Sequence, residues 1–450
     1  MSKDIKIRKG LNIRLKGEAD KTLSNAPRSR TFVIRPEDFH LITPKMVVKV
    51  GAKVKAGDPI FYSKTNEDLK FVSPVSGTLS EIERGAKRVI KRLVIEGDTQ
   101  DDFKDFGKMD PTSMSAEAIK THLLASGCWP FIKQRPYDVI ANPEVAPKAI
   151  FVSGYTTAPL AADLDFALKG KEALLQVALT TLSKLTEGQV HVCVGGAGVS
   201  PFSGLKDINL HTVKGPHPAG NVGTQIAKID PVNKGETVWT VGAQDLVIIG
   251  ELMTTGHFNA ERVIALAGSS VKAPKYYTTK IGAEVSTFVY DSGLLEEHSR
   301  VISGDVLTGT KISPKSHLGY YDTAVNIIPE GDDYELFGWN KPVFNKISPS
   351  RAFTFSWLLP NKKFDLNTNT NGEHRAFVVT GNYEKVFPLD IYPLQILKAC
   401  LVKDLDAMEA LGMYEVAPED FSLTEFICVS KQPHQQIIRD GLDLMYKEIG

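Results

Sequence analysis

The amino-acid sequence predicts a multidomain α/β protein, on three observations. Glycine-punctuated short apolar steps fill the first hundred residues, strands alternate with helices over the next stretch, and leucines spaced by threes and fours close the chain. At 450 residues there is length for about three domains, four if some are small. The 42% apolar and 24% charged residues are those of a packed globular chain, not a disordered one.

Residues 1–100 read as all-β. Glycines 51, 57, 77 and 85 separate short apolar steps, as tight turns between short strands require. With Phe71-Val72-Ser73-Pro74-Val75-Ser76-Gly77 the pattern resembles the barrel-sandwich hybrid of biotinyl and lipoyl carrier domains. Those carriers bear their cofactor on a lysine at a hairpin tip. Eight residues before Pro74 stands Asn66, with Lys64 and Lys70 expected off the tip, so the fold is expected without the cofactor.

Residues 101–255 read as a Rossmann-like α/β domain. Strands are expected at 148–153, 190–194, 238–241 and 246–249, and a helix with Leu174, Ala178, Leu182 and Leu185 on one face. The stretch Gly195-Gly196-Ala197-Gly198-Val199-Ser200-Pro201 follows a strand as a dinucleotide loop would. Its third glycine is replaced by Pro201, which removes a backbone N–H that could serve a phosphate. Asp163 and Asp165 stand where carboxylates cap a helix. Lys133 and Arg135 could bind phosphate or lipid headgroups, or form a solvated surface pair.

Residues 256–380 read as a β-grasp-like module with a hairpin extension. Strands are expected near 262–267, 278–283, 286–290 and 300–307, with further hairpins over 320–380 and a polar loop at 361–373. Residues 381–450 read as a helical domain. One helix carries Leu394, Leu397, Leu401, Leu405, Met408 and Leu411 up to Gly412, a stripe expected to pack in the core, and two more lie around 418–428 and 434–446.

Lys and Arg number 53 and Asp and Glu 53, so no nucleic-acid footprint is expected. No apolar run approaches the length of a membrane span, and the charged first residues do not read as a signal peptide. Cys128, Cys193, Cys400 and Cys428 lie too far apart for a cluster-binding run and are expected to be buried thiols. His211 and His217 fall in an expected loop, without a metal-binding spacing.

Several segments together resemble one family. They are Gly127-Cys128-Trp129-Pro130-Phe131, Ala158-Pro159-Leu160-Ala161, Gly215-Pro216-His217-Pro218, Glu261-Arg262-Val263-Ile264 and Glu335-Leu336-Phe337-Gly338-Trp339. In this order they are similar to the A subunits of the Na+-translocating NADH:quinone reductases, bacterial respiratory sodium pumps. That resemblance implies a sandwich-hybrid, Rossmann-like, SLBB-type and helical architecture. It also implies a peripheral subunit on the cytoplasmic side of the bacterial inner membrane, docked on integral membrane and flavin-carrying partner subunits. The complex would oxidise NADH, reduce ubiquinone or menaquinone and export Na+. Where the family is expected to read Cys-Pro-Gly-Lys, this chain has Cys428-Val429-Ser430-Lys431.

The family is in turn similar to the C subunit of Rnf complexes and to the flavin-binding subunit of complex I. Their acidic flavin- and NADH-contacting positions fall here on Thr156 and Ala158, and their glycine-rich flavin loop on residues 125–130, where Trp129 would crowd a flavin ring. Their cluster-ligating cysteine run has no counterpart. The resemblance therefore implies no catalytic residue and no cofactor in this chain, with flavins and iron centres in partner subunits. A remnant or quinone pocket is expected around Tyr155, Thr156, Thr157, Gly195, Gly196 and His217. Two alternatives stay open: a soluble flavin- or NAD-dependent oxidoreductase using the α/β domain, and a carrier modified on Lys64 or Lys70.

Overall fold

The computed structural model describes residues 2–450 apart from 197, 295–297, 333, 334, 339, 350, 352 and 360. Two small sheets form the barrel. One runs Thr31–Ile34, Ile90–Gly97, Gly77–Arg84 and Lys53–Val54, the other Pro44–Met46, Pro59–Ser63 and Asn66–Val72. Aromatic rings fill the space between them, with Phe61 stacked on Phe71 at 4.5 Å between centroids and Phe39 at 4.4 Å from Phe71. The hairpin of the smaller sheet turns at Lys64 and Thr65, so Lys64 stands exposed at its tip, not off it. The register puts Asn66 opposite Ser63, one residue past the turn, because a two-residue connection closes this hairpin.

The segments before Thr31 belong to other sheets. Asp4–Lys6 pairs in parallel with Asn209–Lys214, and Asp20–Asn25 lies beside Lys275–Lys280. The first pairing completes a seven-stranded sheet of order Asp4–Lys6, Asn209–Lys214, Gln189–Gly195, Ala149–Ser153, Val238–Val241, Ile132–Arg135, Val139–Ile140. Its first five strands are parallel, and the last two pairings are antiparallel, so that only Ile132–Arg135 runs against the rest. Successive strands step outward from Ala149–Ser153 in one direction, and Val238–Val241 then returns to its other side. That reversal is a topological switch point, where the loops leaving the two strands diverge and a crevice opens.

The apolar run 246–249 is helical, not a strand: it lies within Ala243–Thr255. Short apolar runs do not distinguish a buried strand from a buried helix. Here the helix begins after Gly242, ends on left-handed Gly256 and packs on Glu172–Ser183. Both faces are covered, which removes the amphipathic signal. Contact is close enough that a Cβ on Gly250 would stand 2.2 Å from the Leu174 carbonyl oxygen.

The six-stranded sheet runs Thr310–Ile312, Ser299–Ser303, Ala324–Pro329, Glu261–Ala267, Lys275–Lys280, Asp20–Asn25. Residues 286–290, expected as a strand, form the helix Ser286–Ser292. Val285, Phe288 and Val289 face the core at helical spacing while Tyr290 points outward. The hairpins expected over 320–380 reduce to one strand, Ala324–Pro329. Beyond it the described residues form turns, tied down by the pairing of Glu330 with Arg300 and Lys311 and by a bridge from Leu15 to Phe364.

The C-terminal leucine stripe is split. Pro393–Val402 ends on Lys403, left-handed at φ 58°, and Asp404 caps Leu405–Ala410 through its side chain. Leu394, Leu397 and Met408 face the core, whereas Leu401 is half exposed. Helices Ser422–Phe426 and His434–Ile449 complete this part. All four cysteines are buried and free; burial pushes the Cys193 and Cys400 thiols up to about 12, as inert core thiols require. Among the described residues no helix is long and apolar enough to cross a membrane.

Candidate functional site

The switch point holds a cavity of about 370 Å3. Ser153, Thr156 and Thr157 line it from the end of one central strand, Thr240, Val241 and Gly242 from the end of the other. Lys133 and Phe131 form a wall, and the six-stranded sheet closes the mouth with Asp305, Tyr321 and Asp322. A second cavity, of about 560 Å3, opens over the next two strands and is lined by Tyr155, Thr156, Gly195, Gly196, Lys214 and Tyr276 among others.

The six residues expected at a pocket therefore divide. Tyr155, Thr156, Gly195 and Gly196 meet at the larger cavity, Thr156 and Thr157 at the smaller. His217 lines neither; it is 2% exposed, its Nδ1 lies 3.1 Å from Thr157 Oγ1, and burial lowers it to about 4. It is a neutral ring packed behind the loop. Gly196 has a structural cause: a Cβ there would stand 1.7 Å from Lys214 Cε, so the lysine stem lies across the bare backbone. Thr156 donates to the Ala162 carbonyl at 2.8 Å and Thr157 receives the Gly220 N–H at 2.9 Å, so the loop satisfies its own polar groups.

Sequence reasoning missed the acidic half of the switch cavity. Asp138, Asp245, Asp305, Asp322 and Glu419 converge there. Desolvation raises Asp245 and Asp322, against the opposing pull of Arg262 on the first and of Ser303 on the second. Asp138 is different: burial opposes its charge, and Lys133, Arg135 and Arg439 outweigh burial and lower it. Reading 243–255 as a helix would have exposed the signal, because Gly242 then becomes a strand-to-helix turn at the sheet's carboxyl edge.

Lys133 and Arg135 are not a solvated pair. Arg135 is 1% exposed and is gripped by Glu419 at 2.6 Å and Asp420 at 2.7 Å, which leaves no fork for a phosphate. Lys133 Nζ sits 4.2 Å from the Tyr321 ring centroid. Asp163 caps Leu164–Ala167 by accepting from Phe166 N at 3.1 Å and pairs with Lys21 at 2.5 Å. His211 lies on the strand Asn209–Lys214, not in a loop, with its Nε2 3.0 Å from His191 Nδ1. Among the described residues no group of three or more metal-ligating side chains is assembled.

Comparison with known proteins places this geometry. The A subunit of the Na(+)-translocating NADH-quinone reductase from Saccharophagus degradans is 38% identical over 99% of this chain and 100% of that protein. The chain belongs to that family. The corresponding proteins of Neisseria meningitidis serogroup B and Vibrio vulnificus match at 39% and 38% over the same 99% of the chain and 100% of their own lengths. Three family models agree: the NqrA N-terminal barrel-sandwich hybrid domain over 5–98, the NqrA second alpha/beta domain over 114–258 and the NQRA C-terminal domain over 263–313. A solved NAD+-reducing [NiFe]-hydrogenase chain, in the air-oxidised state, covers 49% of this chain and 50% of its own at 11% identity with a TM-score of 0.34, too loose to bear on function.

Within the family frame, residues 125–130 can be tested for a flavin cradle. Trp129 is a core residue. Its indole is fully buried, donates to the Ala141 carbonyl at 2.7 Å and meets Trp239 edge-on at 5.4 Å. A Cβ on Gly127 would stand 2.5 Å from Val72 of the barrel. The loop is a packing element between two domains, and Phe131, just beyond it, reaches the switch cavity. Ala197 of the glycine stretch and Trp339 of the last family motif lie outside the described residues.

Proposed function

We propose that this chain is the peripheral, cytoplasmic-side subunit of a Na+-translocating NADH:quinone reductase and carries no redox cofactor of its own. The observation that carries the reading is the match to the family's A subunits over 99% of the chain. Electrons pass from NADH to quinone, and sodium moves, in partner subunits that bear flavins, iron centres and membrane spans. This chain supplies a scaffold.

The chemistry of the switch cavity supports the cofactor-free part. Flavin and nicotinamide nucleotides carry phosphates, and five carboxylates line this cavity against the two cations Lys133 and Arg135. Arg135 is already committed to two of its acidic neighbours, and Thr156 and Ala158 offer no acid to a ribose. A flavin mononucleotide does not fit this donor set. An uncharged quinone headgroup is not repelled in this way. The cavity over Gly195 and Gly196, with Tyr155, Leu160 and Tyr276 in its walls, is the seat we assign to it; His217 lines no part of it.

Expression of the chain in a bacterium whose own copy of this subunit has been deleted tests the reading. Recovery of Na+-dependent NADH:quinone reductase activity, and co-purification with integral membrane subunits, are the expected results. The purified chain alone should show no flavin absorption and no stoichiometric iron. Flavin bands that survive purification and bleach on adding NADH would replace this reading with that of a soluble oxidoreductase.

A further inference from the structure

The stretch 336–364 contains five Lys or Arg residues and no Asp or Glu, in a chain whose net charge is zero. The same stretch carries exposed large apolar side chains. Leu336 is 81% exposed and Phe337 65%, and Phe344, Phe355, Trp357, Leu358 and Leu359 all lie between 42% and 49%. Isolated exposed apolar residues need no explanation, but a contiguous set does.

The two arms of the stretch are joined around Phe344 and Phe355. Val343 N donates to the Thr354 carbonyl at 3.1 Å, Phe344 and Phe355 stack at 6.0 Å, and Lys362 Nζ reaches the Phe344 carbonyl at 3.1 Å. Lys346 ties the segment to Glu335 at 2.8 Å. Nor are the exposed rings a local core turned outward. The segment has its own inward anchors: Ile347 packs against the core cluster that holds Ile13 and Leu15, and Phe364 is 7% exposed.

Two of the cations are neutralised, Lys346 by Glu335 and Lys363 by Glu18. Lys341, Arg351 and Lys362 form no ion pair with a carboxylate among the described residues, and the Arg351 guanidinium lies 5.0 Å from the Trp357 ring centroid. Cations outside any close ion pair, beside exposed Trp, Phe and Leu, are the composition of a surface that meets an anionic bilayer. Indole and phenyl rings enter the headgroup level while lysine and arginine stay with lipid phosphates.

We propose that the exposed described residues of 336–364 form a docking surface for anionic phospholipid, holding this chain against the bilayer in addition to its contacts with membrane subunits. The inference rests on the membrane-complex reading for the bilayer's presence, but its test needs no partner. With three cations outside any close ion pair, attachment is reversible and salt-sensitive.

The experiment is co-sedimentation of the full chain with vesicles of phosphatidylcholine alone or in equal mixture with phosphatidylglycerol. Binding to the anionic vesicles only, falling as salt rises, is expected. Arg351→Gln should weaken it roughly five-fold, and the combined Lys341→Gln, Arg351→Gln, Lys362→Gln variant on the order of a hundred-fold. Trp357→Ser should weaken it without changing the salt slope, and Lys49→Gln with Lys53→Gln, on the exposed barrel surface, should not. These positions are exposed or partly exposed, so melting temperatures report whether each variant is folded. Equal binding to neutral vesicles, or an unaffected triple variant, overturns the proposal. So does a chain that ignores both vesicles, and if it still restores the pump then only this inference fails. A triple variant that detaches from purified partner subunits while the wild-type chain ignores vesicles makes the patch a protein contact and likewise overturns it.

Discussion

Two arginines are buried almost completely, and they serve different ends. Arg262 meets Asp245 at 2.5 Å, a partner only 17 residues away in the chain. Arg135 meets Asp420 at 2.7 Å, 285 residues away, with Glu419 on its other arm. The first pair fastens the helix Ala243–Thr255 to the strand that opens the next sheet. The second clamps the C-terminal helices onto the edge of the seven-stranded sheet. Both leave the guanidinium Nε without a partner, so each is a costly burial that is stable only while its carboxylates stay in place. A buried ion pair close in sequence ties two consecutive layers together; the same chemistry across the chain ties on the C-terminal helices.

The largest expected effect breaks that comparison directly. Arg135→Met leaves the fully buried Asp420 uncompensated, and Arg262→Met does the same to Asp245; each should cost about 3–5 kcal/mol in urea unfolding. They should differ in form. Loss of Arg135 should free the C-terminal helices as a separate early transition, cleaved by protease near 380–393, whereas loss of Arg262 should lower one cooperative transition. Identical profiles would show that both pairs belong to one folding unit.

Gly250→Ala sharpens the local side. Its Cβ would press on backbone that cannot swing away, and the displaced helix carries Asp245. About 1–3 kcal/mol should be lost, with no early release of the C-terminus.

Acid should act through buried neutral histidines. His434 is lowered to about 3 and His317 to about 4, both by burial. A histidine with a depressed folded pKa contributes its full stability above about 6.5, where neither state is protonated. That stability is lost as pH falls towards the folded value, at about 1.4 kcal/mol per pH unit for each ring. Because His434 holds out to lower pH, the C-terminal side should go on losing stability below pH 4, after the His317 contribution has ended. Urea midpoints of wild type and His434→Gln across pH 3–7 would read this, and parallel curves would refute it.

The smallest effect is the most instructive. Replacing both members of the local pair, Arg262→Met with Asp245→Leu, should recover most of the single-mutant loss, because no uncompensated charge remains. Arg135 needs Asp420 and Glu419 changed as well before any recovery appears.

How much of this was legible depended on where the physics is local. Turn glycines and the strand-to-helix rhythm marked the barrel and the parallel strands. The helices Ala243–Thr255 and Ser286–Ser292 were read as strands because short apolar runs carry no period once every face is covered or the run is only two turns long. Tyr155, Thr156, Gly195 and Gly196 could be grouped in advance, and they do line one cavity, because loops at strand ends are visible in sequence. Asp138, Asp322 and Glu419 could not be, since each comes from a different domain and only folding brings them together. Arg135 stayed open between a phosphate-binding and a solvated cation because nothing near it in sequence announces Asp420.

The pairing of Asp4 with Thr212 joins residues 208 apart. During synthesis at about 5–20 residues per second, the leading strand leaves the ribosome roughly 10–40 s before its partner exists. For that interval the chain's front end is an open tether, and the barrel that follows it can close while the α/β sheet still lacks an edge. Final assembly is then less a sequence of domains folding one after another than a seam drawn shut from its first stitch.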